Sequence, residues 1–347
     1  MNSIERVVKV LNHEEPDRVP VYPLINSISM KYLGYDYDEW TLDPEKCAAS
    51  ILKATDECDV DVICSLVDLS IEAADWGMKI EYPKDKAAGP GKGDPFISCE
   101  DDYDKVNVID PRTTPRMSNY IKMTKILVDA KGHEKPIVGF VFGPLGILSM
   151  LRELDKMLID TFSCKEKIFK ALDNITESLI ILCDELIDAG CHAIMFDTLY
   201  SSKTIMSEKM WDEFEGPWQQ RLAEHVHNRG VMVMIHNCGE GIYVGAQIKR
   251  MHPEAISLLY LANDCKSMAE MKEKYGDQTT FIGHIDPGFL MTCTEEELRQ
   301  QCREQMDAYM KDGGFILATG CEYPAPLDDR FAKIMVDEAK TYGVYKK

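Results

Sequence analysis

The sequence has few positive charges and no long hydrophobic run. Its 347 residues include 39 lysine and arginine residues against 59 aspartate and glutamate residues, which gives a formal net charge of −20. A surface of this sign repels nucleic acid and anionic membranes, so we expect neither as a partner. No apolar run approaches the ~20 residues that cross a bilayer. The first residues resemble an amphipathic helix followed by a turn rather than a signal peptide.

Several sequence motifs are also missing. The 12 cysteines include no C-x-x-C pair, and without a secretory signal we expect a cytoplasmic protein with mostly free thiols. No G-x-G-x-x-G follows the first strand-like run, so a dinucleotide-binding fold loses its main support. Because neither a Gly/Ser/Pro-rich linker nor a fixed-period repeat interrupts the chain, we expect one domain over 1–347, with an N-terminal helical extension and a surface excursion around 83–105.

Short apolar runs rich in valine and isoleucine alternate with longer helical patterns along the chain. Nearly continuous apolar strands separated by helices predict a buried parallel sheet. About eight such units in a chain of this length fit an α/β fold of the (β/α)8 TIM barrel type better than an open sheet. The predicted strands are 19–23, 60–65, 137–143, 193–198, 231–237, 255–261, 280–286 and 315–321.

Polar side chains fall at one end of these predicted strands. Asp197 closes its strand, as does His284, while His236 and Cys238 end another strand and Cys321 ends the last one. In a TIM barrel the carboxyl ends of all strands meet at one face, where the chemistry of such barrels takes place. We therefore expect these five side chains to converge.

His236 and Cys238 are two positions apart, so on an extended strand they point to the same side. A thiolate and a neutral imidazole form a ligand set that suits zinc. Cys321 would supply a third ligand, and an open fourth position is typical of catalytic zinc sites. A Cys–His nucleophile and base is the competing chemical interpretation, but it gives Cys321 no role. The simplest alternative is a hydrogen-bonded histidine beside core cysteines.

Two further strand-end residues are candidates for catalysis. Asp197 could orient His236 through the second ring nitrogen, as zinc-bound histidines usually require. It could equally contact substrate or cap the following helix. His284 could act as an acid towards a leaving group, or simply satisfy a backbone carbonyl.

Four residues are candidates for substrate binding. Asp68 follows the second predicted strand and could reach the barrel end, although it could also be a charge at a helix N-terminus. Tyr200, Tyr260 and Tyr323 lie at or just past strand ends. They could line a pocket that favours aromatic ligands, or be ordinary tyrosines at the rim.

At these residues the chain resembles the uroporphyrinogen decarboxylase superfamily, and within it the zinc-dependent corrinoid methyltransferases. The resemblance covers essentially the whole chain and implies a (β/α)8 barrel with zinc bound by His236, Cys238 and Cys321. The matching segments are "EPDRVPV", "GPLG", "AGCHAIMFDT", "HNCG" and "TGCEYPAPLDDRFAKIMVDEAKTYG".

The resemblance also implies an activity and a partner. Enzymes of this branch transfer methyl groups between small molecules and the cobalt of a corrinoid, in anaerobic one-carbon metabolism. It implies one zinc ion per chain. The chain has no cobalamin-binding segment of the type D-x-H-x-x-G. We therefore expect the cobalamin to be supplied by a corrinoid protein in a transient complex, with a small methylated substrate as the other partner. The sequence leaves the oligomeric state open, a homo-oligomer included.

Departures from the family pattern narrow the expected reaction. The decarboxylase branch binds substrate carboxylates with an arginine-containing segment, and the matching stretch "PLINSISMKYLG" contains no arginine. Some coenzyme M methyltransferases place a carboxylate on the strand after H-x-C, where this chain is apolar at or near Leu259. The absence of a basic cluster near the barrel end favours a neutral or phenolic ligand over a sulfonate. We expect demethylation of a methyl ether such as a methoxylated aromatic. Methylation of a thiol and decarboxylation are the alternatives.

Overall fold

Strands and helices alternate along residues 1–345, which are the residues that the structure, a computed structural model, describes; Lys346 and Lys347 of the expected 1–347 domain lie outside them. The strands are β1 (Ile63–Cys64), β2 (Ile80–Glu81), β3 (Gly89–Pro90), β4 (Ile137–Phe142), β5 (Ala193–Asp197), β6 (Met232–Asn237), β7 (Ala255–Leu258), β8 (Thr280–Ile285) and β9 (Phe315–Thr319). The helices are α1 (Ser3–Leu11), α2 (Tyr37–Leu42), α3 (Pro44–Cys58), α4 (Ile71–Trp76), α5 (Pro115–Lys131), α6 (Pro144–Arg152), α7 (Leu154–Ser163), α8 (Lys165–Ala189), α9 (Glu208–Phe214), α10 (Gly216–Asn228), α11 (Val244–Met251), α12 (Met268–Tyr275), α13 (Pro287–Leu290), α14 (Glu295–Tyr309) and α15 (Arg330–Thr341), with 3-10 helices at Ser27–Tyr32 and Glu100–Lys105.

Seven of these strands form one curved, wholly parallel sheet in the order β1-β4-β5-β6-β7-β8-β9. Each lies within or overlaps a strand predicted from the apolar runs, and helices connect them on the outside. Neighbouring strands therefore follow one another around the sheet, as βαβ units do. The remaining two strands, β2 and β3, pair as a small antiparallel hairpin.

The predicted strand 19–23 closes the sheet into a barrel, but it forms isolated bridges rather than a regular ladder. Val21 pairs in parallel with Leu317 of β9, and on its other side the Val21 carbonyl accepts the backbone N–H of Asp61 at 2.9 Å. Pro20 and Pro23 have no N–H to donate, so the ladder is interrupted at both. We call residues 19–24 the seam. With the seam in the eighth strand position, between β9 and β1, the (β/α)8 TIM barrel fold is confirmed.

The inside of the barrel is filled by apolar side chains from every large strand. Phe140, Met195, Met234 and Ile282 belong to this inner cluster, and so does Val10 of α1. The Val10 carbonyl accepts hydrogen bonds from the backbone N–H of Gly314 at 3.2 Å and from the Thr280 hydroxyl at 3.3 Å. Helix α1 therefore covers the end of the barrel at which the strands begin, which we call the floor. The opposite end, where the strands finish, is the mouth.

A buried carboxylate at the floor holds the seam to the sheet. Asp61 is 1% exposed and accepts hydrogen bonds from Arg6 Nη1 at 2.7 Å, Arg18 Nη1 at 2.8 Å and the Val21 N–H at 2.8 Å. Arg6 also binds Asp17 at 2.7 Å. The Asp17–Arg18 pair belongs to the segment "EPDRVPV", so this segment closes the barrel far from the mouth. Within residues 1–345, no helix has both the length and the apolar character needed to cross a membrane.

Candidate metal centre

Strand alternation turns two polar side chains into the barrel at its mouth. Met195 and Met234 face the inner cluster, so Asp197 and His236, each two residues later, face the same way. Asp197 and His236 are register partners on β5 and β6, and His236 is in turn the partner of Ser257 on β7. Three consecutive strands thus present a carboxyl, an imidazole and a hydroxyl side by side.

The three predicted metal ligands meet at this point. One ligand atom each from His236, Cys238 and Cys321 lies within 4.8 Å of the other two. Cys238 follows the end of β6, and Cys321 follows Gly320 just beyond β9. A Cβ at Gly320 would lie 2.5 Å from Leu259 Cα, so only glycine lets the chain pass this close to the end of β7. That approach brings Cys321 over to the ligands on β6.

Ser257 fixes the orientation of the His236 ring. The Ser257 hydroxyl lies 3.0 Å from His236 Nδ1, and both side chains are buried. The other nitrogen, Nε2, is then available to a metal, and a ring nitrogen of His236 lies within 4.8 Å of the sulfurs of Cys238 and Cys321. Ser257 rather than Asp197 contacts Nδ1, and the Asp197 Oδ1 accepts the backbone N–H of Leu199 at 3.0 Å. That bond caps the turn after β5.

The thiols of Cys238 and Cys321 and the imidazole of His236 shift one another's pKa. A hydrogen bond from Cys238, opposed by burial and assisted by His236, lowers the pKa of Cys321. The same hydrogen bond, together with burial, raises the pKa of Cys238. Burial lowers the pKa of His236, but the hydrogen bond and charge of Cys321 outweigh it, and the net pKa is raised. A thiolate at Cys321 beside a second thiol and an imidazole is a donor set suited to a borderline-soft divalent metal such as zinc.

A cavity of about 380 Å³ opens from these ligands to the mouth. Its walls include the aromatic side chains of Tyr37, Phe140 and Tyr323. Part of its roof is the link between β2 and β3, residues 82–88, which we call the strap. The Lys84 carbonyl accepts the backbone N–H of Tyr37 at 2.8 Å, so α2 holds the strap over the cavity.

Two acidic side chains in the cavity wall flank the cysteine of the last strand. Burial raises the pKa of Asp197 to about 6, and the charge of His236 offsets this only in part. Burial also raises the pKa of Glu322 to about 7, while its Oε1 accepts the backbone N–H of Ser27 at 2.8 Å. Both carboxyls interact electrostatically with Cys321. They therefore lie close to the ligand cluster.

Asp68 also lines the cavity, but its charge is already neutralised. It forms a buried salt bridge with Arg116 and accepts a hydrogen bond from the Thr41 hydroxyl at 2.8 Å. Its other oxygen accepts the backbone N–H of Ser70 at 2.8 Å. Asp68 therefore forms part of the wall and has little capacity left to bind a charged ligand.

His284 lies outside the cavity, which corrects the expectation that it reaches the reacting group. Its Nε2 lies 2.9 Å from the Tyr309 hydroxyl, and the two rings stack with their centroids 5.4 Å apart. Tyr309 belongs to α14, so the imidazole packs between β8 and the outer helix. Burial there lowers the pKa of His284 to about 4.

The three tyrosines considered for the pocket have different positions. Tyr323 lines the cavity, and its hydroxyl donates to the Asp328 carbonyl at 2.7 Å. Tyr200 is buried beneath the mouth, with its hydroxyl bonded to that of Ser149. Tyr260 is 43% exposed and lines a neighbouring depression beside Lys203. Tyr200 and Tyr260 therefore do not line the cavity, which corrects the expectation for both. The hydrogen bond to Ser149 holds Tyr200 inside, and the direction of the chain after β7 places Tyr260 at the rim.

The sequence interpretation missed Ser257 and Glu322. The signal for Ser257 was its inward position on the strand after H-x-C, but its pairing with His236 depends on strand register. Glu322 directly follows the third ligand, and its position in the wall depends on its bond to Ser27. Neither contact has a spacing that a single sequence displays.

Comparisons with known proteins agree with this architecture. The family model "Uroporphyrinogen decarboxylase (URO-D)" matches residues 2–342. The methylcobamide:CoM methyltransferase MtbA of Methanosarcina mazei is 22% identical over 349 residues, covering 97% of each chain. A uroporphyrinogen decarboxylase of Sulfurovum sp. is 24% identical over 310 residues, covering 85% of this chain and 84% of its own.

Solved structures share the fold at low sequence identity. A methyltransferase from Methanosarcina mazei superposes with a TM-score of 0.81 at 20% identity over 99% of each chain. A B12-independent methionine synthase from Shewanella sp. has a TM-score of 0.55 at 14% identity, over 86% of each chain. Since the family model matches all but a few terminal residues, this chain belongs to the uroporphyrinogen decarboxylase family.

Proposed function

We propose that this chain is a zinc-dependent methyltransferase that moves a methyl group between a small molecule and the cobalt of a corrinoid held by a partner protein. The observation that carries the proposal is the meeting of His236, Cys238 and Cys321 within 4.8 Å at the barrel mouth. The methyltransferases that match this chain over 97% of its length at 22% identity support it.

The residues at the mouth fit zinc. His236 Nε2 and the sulfurs of Cys238 and Cys321 would hold the ion, and three protein ligands leave one position open, as in catalytic zinc sites. When bound, zinc would supply a Lewis acid for the donor atom of the small molecule. Ser257 would keep the proton of His236 on Nδ1, so that Nε2 stays a ligand.

The remaining residues of the cavity would bind and enclose the small molecule. Tyr37, Phe140 and Tyr323 give the wall aromatic surface, and the strap limits the access of water from above. Asp197 has an oxygen that is not used by the Leu199 N–H, so it would contact the ligand directly. In this proposal Asp197 is a substrate-binding group, and His284 and Tyr260 have no part in the chemistry.

For the methyl donor we propose a methyl ether, such as a methoxylated aromatic, which the aromatic wall would accommodate. Methylation of a thiol is the second candidate, favoured by the names of the methylcobamide:CoM methyltransferases. A sulfonate ligand would need a cation, but Arg116 is already bound to Asp68. Decarboxylation is disfavoured for the same reason, because a polycarboxylate would meet Asp197 and Glu322 instead of arginines.

The proposal requires a second protein at the mouth. We propose that a corrinoid protein docks there transiently and presents its cofactor to the cavity. The methyl transfer would take place in the cytoplasm, where thiol ligands stay reduced.

Zinc content and methyl transfer test the proposal together. We expect about one zinc per purified chain, lost in Cys321→Ala and kept in Cys293→Ala, a half-buried cysteine away from the site. Methyl transfer is followed by the visible spectrum, as formation of methylcobalamin from cob(I)alamin and a methoxylated aromatic, or as its loss with a thiol. A protein without zinc, or one in which His236→Ala keeps full activity, would contradict the proposal.

A further inference from the structure

The cavity at the mouth is lined by more carboxyl groups than cationic side chains. Four carboxyls line it, and Asp68 is neutralised by Arg116. Asp85 is exposed on the strap, where solvent screens its charge. Asp197 and Glu322 are the two carboxyls left, and they are the ones beside the metal ligands.

Each of these two carboxyls accepts hydrogen bonds from a single residue. Asp197 is 5% exposed and accepts only the Leu199 N–H, through Oδ1. Glu322 accepts the Ser27 N–H through Oε1. Over residues 1–345, the structure gives neither of them a lysine or arginine partner within salt-bridge distance. Because a buried carboxylate without a counter-ion is unfavourable, the pair would be stabilised by a cation from outside.

The metal would not supply this cation. A divalent ion held by two thiolates and one neutral imidazole forms a group with no net charge. Occupation of the ligand cluster therefore leaves Asp197 and Glu322 without a cationic partner. The nearby rings of Phe140 and Tyr323 also favour a positive group, since aromatic faces attract cations.

We propose that the small molecule handled at this site carries a protonated amine, which donates hydrogen bonds to Asp197 and Glu322 while its methyl-bearing or methyl-accepting atom faces the metal ligands. The proposal rests on the proposed function, because the metal ligands must hold the other end of the molecule. It adds a cationic group to the methyl ether or thiol of the proposed function, where the charge composition had favoured a neutral or phenolic ligand. It also separates this site from one built for a sulfonate or a carboxylate.

A series of short thiols that differ in charge tests the proposal by binding alone. A thiolate can take the open metal position whatever the direction of methyl transfer. The probes are 2-aminoethanethiol and 3-aminopropanethiol (cationic), 2-mercaptoethanol (neutral) and 2-mercaptoethanesulfonate (anionic), titrated calorimetrically into zinc-loaded protein. We expect the better amino thiol to bind roughly ten- to hundredfold more tightly than 2-mercaptoethanol, the range that charge-assisted hydrogen bonds give. We expect the sulfonate to bind most weakly.

Variants assign the preference to the two carboxyls. Glu322→Gln and Asp197→Asn should each remove most of the preference for the amino thiols and leave the affinity for 2-mercaptoethanol within about twofold. Asp85→Asn is the matched control on the strap and should keep the preference, because exposed charges contribute little. Zinc content and circular dichroism of each variant report whether the site and the fold are intact. If one of the two variants loses zinc or its fold, the other variant decides the test.

The outcomes separate this proposal from the proposed function. Zinc-loaded protein that binds the sulfonate as tightly as the amino thiols overturns the cationic ligand and leaves the methyltransferase proposal standing. The same holds if both variants keep the full preference. Protein that takes up no zinc and binds none of the thiols overturns both.

Discussion

Replacing Ser257 by alanine removes the hydrogen-bond partner of His236 and little else. Ser257 is 1% exposed and His236 is 4% exposed, and the hydroxyl lies 3.0 Å from Nδ1. In the metal-free chain the imidazole has an alternative, because a proton on Nε2 can bond the Cys321 thiolate. With a metal on Nε2 the proton must be on Nδ1, where the variant offers it no acceptor. The penalty therefore falls on the metal-bound form.

Its size follows from two independent ranges. A buried N–H without an acceptor costs about 1–3 kcal/mol. Removal of a hydrogen-bond partner behind a ligating histidine typically weakens metal affinity by about 10- to 100-fold, or roughly 1.4–2.7 kcal/mol. The two ranges overlap, so we expect the zinc dissociation constant of Ser257→Ala to rise about 10- to 100-fold.

The assay is competition for zinc against a chromogenic chelator at constant pH. The control is Ser201→Ala, since Ser201 is fully buried and its hydroxyl has no hydrogen-bond partner among the described residues. That variant should bind zinc as the parent does. If Ser257→Ala stays within twofold of the parent, or if both variants weaken zinc binding equally, the assignment of Ser257 as the support of His236 is refuted.

Three further predictions concern stability and site geometry. Asp61→Ala leaves the guanidinium groups of Arg6 and Arg18 without their buried partner, so the free energy of unfolding in urea should fall by about 3–5 kcal/mol; a loss under 1 kcal/mol would show that the floor does not depend on this cluster. Burial raises the pKa of Glu72 to about 8 from an unfolded value near 4.5. Between these two pH values the folded chain holds a proton that the unfolded chain has lost. The free energy of unfolding should therefore decline as the pH rises through this window. Urea titrations across that range should show a shallower decline for Glu72→Gln, and an unchanged slope would contradict the buried, protonated carboxyl. Gly320→Ala places a Cβ 2.5 Å from Leu259 Cα and should displace Cys321 and weaken zinc binding by at least about tenfold, whereas Gly89→Ala, with no atom within 4 Å, should leave zinc binding unchanged.

The strand positions and the convergence of His236, Cys238 and Cys321 could be predicted because both depend on local patterns. Apolar runs gave the parallel strands, and the polar residues that end them identified one face of the barrel. His236 and Cys238 are two positions apart at the end of β6, so the two-residue repeat of an extended chain predicted their common direction. The partnership with Cys321 followed from the barrel topology, since all strands of a TIM barrel finish at the same face.

The misplaced residues lie where tertiary packing decides. Ile282 faces the barrel interior, and alternation would turn His284 inward as well. Its ring instead stacks on Tyr309, which also contacts Phe281 and Phe315. That aromatic cluster joins β8 and β9 to α14, and no spacing within a single strand reveals it. Tyr260 follows β7, where alternation no longer applies and the direction of the loop sets its exposure.

The contacts that surround the ligand cluster could not be predicted from the sequence either. The Ser257–His236 contact depends on how β6 and β7 align, and the Glu322–Ser27 contact joins positions nearly 300 residues apart. Charge composition indicated that the site has no basic cluster. It did not indicate that one acidic pair would be left without a partner, because that depends on which carboxyl Arg116 reaches.

The proline-interrupted seam has a kinetic consequence for the metal ligands. Cys321 and Glu322 lie on the chain segment that the seam holds, through the Leu24 carbonyl and the Tyr323 N–H at 2.9 Å, whereas His236 lies on β6 and Cys238 directly follows that strand. With two fewer backbone donors, this wall should open more readily than the regular ladders around it. Each such opening would carry one thiol away from the other two ligands. The rate at which a chelator removes zinc from the folded protein would then report how often the barrel opens along the seam.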